Sequence, residues 1–354
     1  MPKESNSKSM TSADSDRHAA LSLMVQGRDL PWLLNQWVKR QPDKVFLIWA
    51  ASEASDQSAS EDRQWTYAQF DDAVRRCAAG LRVLGASRGQ RVLLHMENSP
   101  EFLITYFACA LLGLVSVISN TRSVARELKA SMALAEVVGV ITQHNFLPLF
   151  TESENLSFIV VGDPLTNVKE DNTEAIKGDD GNRSVDISVD HDLPTKPVAF
   201  SQLLEHPAFN ETRKPNPHAD LRVQFTSGTT SQPKAVLSTH ANAIYAAQQT
   251  ALGYGLQNQD TCQVFVPLFH TNGLSTLVTS TLWVGGTVLL QRKFSASNFW
   301  PPALRYKATW TCLPGAFFVQ ALLQQAVPKH RFRFWIVNCN ADMAEHFGIA
   351  ARGH

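Results

Sequence analysis

The sequence predicts an α/β fold with mostly parallel sheets and helices on both faces. Of its 354 residues, 44% are apolar and only 18% are charged, which is low for a globular chain and indicates a large buried core. From Val45 onward, short β-like apolar runs alternate with segments of helical length. That alternation is typical of βαβ units, whose crossover helices cover both faces of a parallel sheet.

The first well-marked helix is predicted to follow Thr66. Thr66 is a favourable N-cap residue, and Gly85 is a favourable residue just beyond a helix end. The apolar face between them has helical spacing and consists of Tyr67, Phe70, Val74, Leu81 and Leu84. A strand from Val92 to Met96 is predicted next, which completes the first strand–helix unit.

The apolar stretch from Phe102 to Ile118 has two readings, a membrane span or a buried helix followed by a buried strand. Ser99 can cap a helix and Pro100 suits its first position, whereas Gly113 can end it. A separate strand from Val115 to Ser119 would follow. This punctuation favours the buried helix and strand over the membrane span.

The same unit recurs to the end of the chain. Further strands are predicted at Val137 to Thr142, Phe158 to Val161, Cys262 to Val266, Thr287 to Leu290, Ala308 to Leu313 and Phe334 to Asn338. A helix is predicted from Leu274 to Val284. Pro301 and Pro302 fall inside another predicted helix, where only the first turn accommodates them.

Three polar segments interrupt this pattern. Residues 1–27 are serine-rich and lack a continuous apolar centre, so we expect a disordered leader and not a secretory signal. Residues 51–64 and 163–196 are predicted to be surface excursions of the domain that spans residues 28–354. The acidic run within 163–196 could bind a partner, but its composition favours a solvated loop.

Charge and cysteine content exclude several classes of function. Lysine and arginine together number 32, as do aspartate and glutamate, so no basic surface for nucleic acid or an anionic membrane is indicated. The cysteines are scattered in apolar runs without a CxxC pair, which predicts small buried side chains in a reducing cytoplasm. They are Cys77, Cys109, Cys262, Cys312 and Cys339.

The stretch QFTSGTTSQPKAVLS, residues 224–238, is a candidate phosphate loop between two β-like runs. Gly228 and Lys234 have the spacing of the GxxxxGK[ST] loop, but Pro233 and Ala235 replace its second glycine and its magnesium-binding hydroxyl. An unrelated phosphotransferase is therefore disfavoured. Backbone amides, hydroxyls and the lysine could still surround an anion. The alternative is an ordinary turn rich in Ser, Thr, Gly and Pro.

A second stretch, VPLFHTNGL at residues 266–274, favours the phosphate-loop interpretation over the ordinary turn. TSGTTSQPKAV followed by PLFHTNGL resembles the adenylate-forming (AMP-binding) superfamily, which includes acyl-CoA synthetases, luciferases and adenylation domains. The resemblance extends from about Trp32 to Gly348. It is nearest to the acyl-CoA synthetases, in particular the carnitine- and crotonobetaine-CoA ligase-like group, on the basis of PLFHTNGL and FRFWIVNCNADMAEHFG.

This resemblance implies the large N-terminal domain of the adenylate-forming fold. It also implies two-step activation of a small-molecule carboxylic acid in the cytoplasm, with ATP, Mg²⁺ and CoA, without nucleic acid or a transmembrane segment. The residues assigned to ATP phosphates are Thr226, Ser227, Gly228, Thr229, Thr230 and Lys234, of which Thr226 and Lys234 are also assigned a catalytic role. The residues assigned to the acyl pocket are Phe269, His270, Thr271, Asn272 and Gly273. No metal-binding residue is assigned, and the acid and the oligomeric state are left open.

The chain departs from the family pattern in two ways. Ser231 and Ala235 stand at glycine positions of the loop, and residues 338–341 lack the expected glycine-rich adenine segment. The resemblance also stops before the family's later motifs and its small C-terminal domain, so we expect an incomplete N-terminal domain with impaired thioester formation. The alternative is a non-catalytic fragment that binds a nucleotide or an acyl ligand.

Overall fold

A computed structural model describes residues 25–50, 62–153, 155–162, 193–226, 234–337 and 341–352. Within these residues the chain forms two seven-stranded sheets, which we name sheet A and sheet B, with helices packed against them. The predicted α/β class is thereby confirmed. The described part begins at Val25, whose side chain is buried in the core. The rest of the predicted leader and most of both predicted excursions lie outside the described residues.

Sheet A has the strand order β14-β13-β12-β10-β11-β1-β2. Its strands are β1 (Val45–Trp49), β2 (Arg63–Thr66), β10 (Thr261–Val264), β11 (Thr287–Leu290), β12 (Trp310–Leu313), β13 (Phe334–Val337) and β14 (Ala350–Arg352). All neighbouring pairs are parallel except β1 and β2. The carboxyl ends of the parallel strands therefore lie along one edge of the sheet.

Sheet B has the order β7-β6-β5-β3-β4-β8-β9. Its strands are β3 (Arg91–His95), β4 (Val115–Ile118), β5 (Val137–Gln143), β6 (Phe158–Gly162), β7 (Val198–Ala199), β8 (Asp220–Thr226) and β9 (Lys234–Thr239). Only β8 and β9 pair antiparallel. The predicted β-like runs on either side of the candidate phosphate loop are thus one hairpin at the edge of sheet B.

The helices largely follow the predicted segments. They are α1 (Leu30–Arg40), α2 (Tyr67–Val83), α3 (Pro100–Leu112), α4 (Ala125–Leu134), α5 (Phe200–Leu204), α6 (His240–Tyr254), α7 (Ser280–Trp283), α8 (Trp300–Arg305), α9 (Ala316–Leu323) and α10 (Ala341–Phe347). A 3-10 helix spans His144–Phe150 and a π-helix spans Asn272–Thr279. Pro301 and Pro302 lie in the first turn of α8, as expected.

Helix α2 begins where the sequence predicts. The Thr66 hydroxyl accepts a hydrogen bond from the amide of Gln69, and the Gln69 side chain returns one to the amide of Thr66. This reciprocal capping box satisfies two amides that the helix start would otherwise leave unpaired. The helix ends at Val83, and Gly85 adopts the left-handed conformation just beyond it.

Helix α3 is buried between the two sheets. Ser99 caps it, Pro100 is its first residue, and Gly113 closes it in the left-handed conformation before β4 begins. No helix in the described residues is long and apolar enough to cross a membrane. The buried-helix reading of this apolar stretch is therefore confirmed.

The core occupies the space between the two sheets and continues on the outer face of sheet B. In β3, Val92 and Leu94 face the larger cluster, whereas Leu93 faces the smaller one on the other side. A parallel strand covered on both faces is apolar throughout because alternate side chains enter different layers. Four of the five cysteines, Cys77, Cys109, Cys262 and Cys312, are buried and form no disulfide among the described residues, as predicted. Cys339 lies outside the described residues.

Strand bounds differ from the sequence prediction by one or two residues. The strand predicted from Cys262 to Val266 ends at Val264, and the strand predicted from Ala308 begins at Trp310. Arg63 and Gln64, at the end of the predicted excursion 51–64, belong to β2. Strand and helix ends commonly differ by one or two residues, because the terminal residues fray.

Candidate functional site

The candidate phosphate loop is held at its base by the β8–β9 hairpin. The backbone of Thr226, the last residue of β8, pairs with that of Lys234, the first residue of β9. Strand β8 is parallel to β4, so the loop starts on the side of sheet B at which the carboxyl ends of its parallel strands lie. Ligands of α/β proteins usually bind at this edge.

Most residues assigned to the loop lie outside the described part. Ser227, Gly228, Thr229, Thr230, Ser231 and Pro233 fall there, as does the side chain of Thr226. Lys234 is described and exposed. The structure therefore locates both ends of the loop side by side, and the assignment of its hydroxyls to phosphate stays a prediction.

Ala235 occupies a position where glycine is not needed. It pairs with Phe225 in a regular antiparallel register, and it is absent from the described non-glycine residues with positive φ, which are Glu136, Asn155 and Lys307. An L-residue adopts extended backbone without strain. The departure from the family glycine at this position therefore leaves the hairpin intact.

The PLFHTNGL segment forms a tight turn that leads into a π-helix. The amide of His270 donates to the carbonyl of Pro267 at 3.0 Å, and the amide of Leu274 donates to the carbonyl of His270 at 3.2 Å. His270 and Thr271 are exposed, Phe269 and Asn272 are half-buried, and Gly273 is buried. The five residues assigned to the acyl pocket are thus contiguous on one turn.

Gly273 is required by a close approach of two backbone segments. A Cβ atom at this position would lie 2.5 Å from the carbonyl oxygen of Pro267 and 2.9 Å from that of Val266. Both atoms belong to backbone, so neither can move without moving the turn. Glycine therefore permits the π-helix to start directly against the end of the preceding strand segment.

The π-helix is stabilised by hydroxyl side chains. Thr279 Oγ1 donates to the carbonyl of Leu274 at 2.8 Å, and Ser280 Oγ donates to the carbonyl of Ser275 at 3.2 Å. These bonds satisfy carbonyls within the wide turns of the helix. The sequence predicts a helix here, but it does not predict the π form, which occurs frequently at functional sites.

Gln224 joins the two motifs. Its Nε2 donates to the carbonyl of Phe269 at 2.8 Å, and Thr271 Oγ1 donates to its Oε1 at 3.4 Å. Because Gln224 lies two residues before Thr226, this contact places the His270 turn beside the base of the phosphate loop. Sequence reasoning assigned Gln224 no role, although the residue opens the motif stretch.

Asn98 joins the two sheets at the same place. Its Nδ2 donates to the carbonyls of Val266 and Gln291 at 3.1 and 3.0 Å, and its Oδ1 accepts from the amide of Leu268 at 2.7 Å. Asn98 is buried and precedes the N-cap residue of α3. It therefore fixes the turn segment from sheet A against sheet B.

The electrostatics of the turn favour an uncharged imidazole. Partial burial lowers the pKa of His270 from its usual value of 6.5, because the protonated form is desolvated. A neutral imidazole can donate one hydrogen bond and accept another, so Lys234 is the cation assigned to the two motifs.

The described residues contain no group of three or more His, Cys, Asp or Glu side chains that could hold a metal ion. This bears on Mg²⁺, which usually retains water and binds through one or two carboxylates plus the phosphates of a nucleotide.

The chain has relatives of known sequence. A profile of the family described as AMP-binding enzyme matches residues 34–344. The chain is 29% identical over 349 residues to the crotonobetaine/carnitine–CoA ligase of Salmonella typhi and 30% identical over 349 residues to that of Salmonella choleraesuis. Each alignment covers 92% of this chain and 60% of the relative. The chain thus spans less than two thirds of the length of these relatives.

Solved structures share the fold at lower identity. The inhibitor-bound N-terminal domain of FACL13 from Mycobacterium tuberculosis matches with a TM-score of 0.72 and 22% identity, over 92% of this chain and 75% of that one. O-succinylbenzoate-CoA synthetase from Bacillus subtilis, in complex with AMP, matches with a TM-score of 0.69 and 21% identity, over 91% and 72%. Both likenesses support the fold seen here.

Proposed function

The chain belongs to the family of AMP-binding enzymes, and from this premise we propose that it acts in the ATP-dependent activation of a small carboxylic acid. In the first step, a carboxylate oxygen of the acid attacks the α-phosphorus of ATP. A new P–O bond forms, the bond to the bridging oxygen breaks, and pyrophosphate leaves with that electron pair. The product is an acyl-adenylate.

The observation that carries this proposal is the contact of Gln224 with the His270 turn. It brings the base of the phosphate loop and the assigned acyl pocket to one place, with a hydrogen bond of 2.8 Å between them. Adenylate formation needs the carboxylate and the α-phosphate to be aligned, because an ionised carboxylate is already a nucleophile. Two motifs held together supply that alignment.

The loop would bind the triphosphate and the departing pyrophosphate. Thr226, Ser227, Gly228, Thr229 and Thr230 would offer amide and hydroxyl donors, and Lys234 would add a positive charge. Charge-assisted donors aimed at the phosphates stabilise the negative charge that moves to the leaving group. No strong general base is required for this step.

The turn would line the boundary between acid and nucleotide. Phe269, His270 and Thr271 would contact the bound acid or adenylate, whereas Asn272 and Gly273 would shape the turn. The lowered pKa of His270 favours an uncharged imidazole, which suits hydrogen bonding or packing against the bound acid. Mg²⁺ would enter with ATP, held by its phosphates, and would neutralise part of their charge.

We also propose that the second step transfers the acyl group to CoA. The thiol releases its proton to solvent and its sulfur attacks the acyl carbon. The C–S bond forms, the C–O bond to AMP breaks, and AMP leaves with that electron pair. The names of the Salmonella relatives, which are CoA ligases, support this step. The four buried cysteines that form no disulfide among the described residues support a reducing, cytoplasmic setting.

Ligand-dependent unfolding tests the proposal first. We expect either MgATP or a stable acyl-adenylate mimic, each at about a thousand times its own dissociation constant, to raise the free energy of unfolding by roughly 4 kcal/mol. Lys234→Ala should remove most of the response to MgATP. Lys129→Ala is the matched control, since Lys129 is an exposed lysine on α4 remote from the loop in sequence.

Acid-dependent exchange of labelled pyrophosphate into ATP then tests the first chemical step. Exchange that is lost in Lys234→Ala and kept in Lys129→Ala supports adenylate formation. Binding without exchange would favour the alternative, a nucleotide- or acyl-binding role without catalysis. No stabilisation by either ligand in a cooperatively folded protein would refute the proposal.

A further inference from the structure

Arg222 is a buried cation beneath the proposed site. It lies in β8 and is only 5% exposed. Its Nη2 donates to Ser275 Oγ at 2.7 Å. Its Nε and Nη1 have no hydrogen-bond partner among the described residues. Arginine stays protonated in proteins, so the positive charge of this side chain is buried with most of its donors unused.

Two neighbouring hydroxyls are also unpaired. Tyr106 Oη and Ser116 Oγ are buried without a hydrogen-bond partner among the described residues. Ser116 of β4 is the register partner of Arg222, so both side chains lie on the same face of sheet B. Burial raises the pKa of the Tyr106 hydroxyl, and the charge of Arg222 together with the approach of its guanidinium to this hydroxyl partly offsets the rise, although the two groups do not meet the geometry of a hydrogen bond. The tyrosine therefore remains a neutral donor.

This cluster, Arg222 with Tyr106, Ser116 and Ser275, contains several donors and no acid. The ion pairs of the described residues include no carboxylate partner for Arg222. A buried charge without a counter-charge is strongly unfavourable. Water can satisfy the hydrogen bonds, but it does not neutralise the charge. The cluster has the composition of an anion site.

The cluster lies on the same side of β8 as the contact that joins the two motifs. Arg222 and Gln224 alternate with Val223, so their side chains share a face, and both reach the segment that contains the His270 turn and the π-helix. Two residues of a strand span ~7 Å. Arg222 therefore lies ~7 Å farther from the loop than Gln224 along the strand. It contacts the first turn of the π-helix by its hydrogen bond to Ser275.

We propose that this cluster binds a second carboxylate of the acid that the protein activates, so that the substrate is a dicarboxylic acid. The inference rests on the proposed function. One carboxylate would react at the loop, and the other would accept hydrogen bonds from Arg222 Nε and Nη1 in the paired geometry that guanidinium favours. Tyr106 and Ser116 would donate to its remaining lone pairs.

The proposed substrate differs in charge from the acids in the names of the Salmonella relatives. Carnitine carries a quaternary ammonium group, which Arg222 would repel. A neutral fatty acid would leave the guanidinium desolvated and unpaired. Both would bind less well than an acid with a terminal anion, because a site built for a charged partner discriminates against ligands that lack it.

Matched adenylate mimics test the charge preference. We would measure the Kd of non-hydrolysable acyl-sulfamoyl adenosines made from glutarate and adipate, and from valerate and caproate, by calorimetry on the full chain in low-chloride buffer. The dicarboxylic mimics should bind at least about tenfold more tightly than the monocarboxylic mimics of equal length. A mimic made from γ-butyrobetaine, which carries the quaternary ammonium, should bind most weakly.

The variant Arg222→Met tests whether Arg222 causes the preference for dicarboxylic mimics. The variant replaces a buried unpaired charge by an apolar side chain of similar length, so its melting temperature should stay the same or rise. Its preference should reverse, with the monocarboxylic mimics binding more tightly. Arg126→Met, which removes an exposed arginine on α4, is the control for loss of one positive charge and should keep the preference of the wild type.

Three results would overturn the inference. Equal affinity for the two series in the wild type would do so, as would an unchanged preference in Arg222→Met or tightest binding of the cationic mimic. Failure of every mimic to bind would reject the proposed function together with this inference. Binding of the monocarboxylic mimics without a preference for dicarboxylic ones would reject this inference alone.

Discussion

The carbonyl oxygen of Phe269 is the acceptor through which the loop hairpin holds the His270 turn. The donor is Gln224 of β8. The side chains of its two neighbours, Val223 and Phe225, lie on the outer face of sheet B. An amide side chain in such a strand needs partners, because an unpaired buried polar group costs more than a hydrogen bond gains. Gln224 finds them on the turn, and the two motifs become one unit.

Gly273 gives a steric prediction at the same turn. Gly273→Ala would place a methyl group 2.5 Å from the Pro267 carbonyl oxygen, well inside van der Waals contact. We expect the free energy of unfolding to fall by roughly 1–3 kcal/mol, as for other overpacked sites. Urea unfolding followed by circular dichroism measures it.

Gly253→Ala is the matched control. Gly253 lies near the end of α6, and a Cβ there would meet nothing within 4 Å. Alanine is a better helix former than glycine, so this variant should gain up to ~1 kcal/mol. If the two variants changed stability equally, the close approach at Gly273 would not be the cause.

At the level of elements, the two sheets are locked together by the loop between β3 and α3. Asn98 uses two donors and one acceptor on backbone atoms of segments that follow β10 and β11. The hydrogen bonds are short and buried. These bonds therefore fix the carboxyl ends of the strands of one sheet relative to those of the other, at the place where the proposed ligands would bind.

The variant Asn98→Ala should remove these hydrogen bonds between the sheets. The carbonyls of Val266 and Gln291 and the amide of Leu268 would each lose a partner while remaining buried. We expect a loss of roughly 2–4 kcal/mol in the free energy of unfolding, since several groups are left unsatisfied at once. Asn145→Ala, at an exposed position, should change it by no more than about 0.5 kcal/mol. Similar losses in both variants would argue against the lock.

The elements show how much the sequence could predict. Thr66, Ser99 and Gly113 mark helix ends by local chemistry, so α2 and α3 were predictable nearly to the residue. The π form was not, because apolar spacing predicts a helix but does not distinguish π turns from α turns. The antiparallel direction of β2 was equally hidden, because it is set by pairing with β1 and not by its own residues.

The candidate site was likewise predictable only in part. The motifs at Lys234 and His270 could be read from sequence as pieces, whereas Asn98 and Arg222 could not be assigned. Asn98 acts through contacts with residues nearly two hundred positions away. Arg222 is notable only because its burial is known, and burial of an arginine in a strand is not visible in a single sequence.

For the molecule as a whole, two buried histidines link stability to pH. His95 and His240 are almost fully buried. Burial lowers the pKa of each from 6.5 to about 4. For His240 the charge of Asp29 partly opposes this shift and that of Arg213 reinforces it. The folded protein holds both imidazoles neutral at pH values where the unfolded chain would protonate them.

The sign of the effect follows from proton binding. Between pH 6.5 and 4 the unfolded state binds more protons than the folded state, so stability is complete above about pH 6.5 and falls as the pH is lowered towards 4. Asp29, whose pKa is lowered overall because hydrogen bonds from Arg213 and Trp32 outweigh the opposing effect of burial, contributes in a different window. Its contribution is lost only below its usual pKa of 3.8.

We therefore expect the free energy of unfolding to be roughly 3 kcal/mol lower at pH 5 than at pH 7 because of the two histidines. Urea unfolding at both pH values measures the difference. His240→Asn keeps a side-chain acceptor for the amide of Leu30, which now donates to His240 Nδ1 at 3.2 Å, and should remove about half of the pH dependence. His95→Gln should remove the other half, whereas His218→Asn at an exposed site should leave it unchanged. A pH dependence that persists in the double variant His95→Gln/His240→Asn would show that other groups control acid stability, because no titrating imidazole would remain at either buried position.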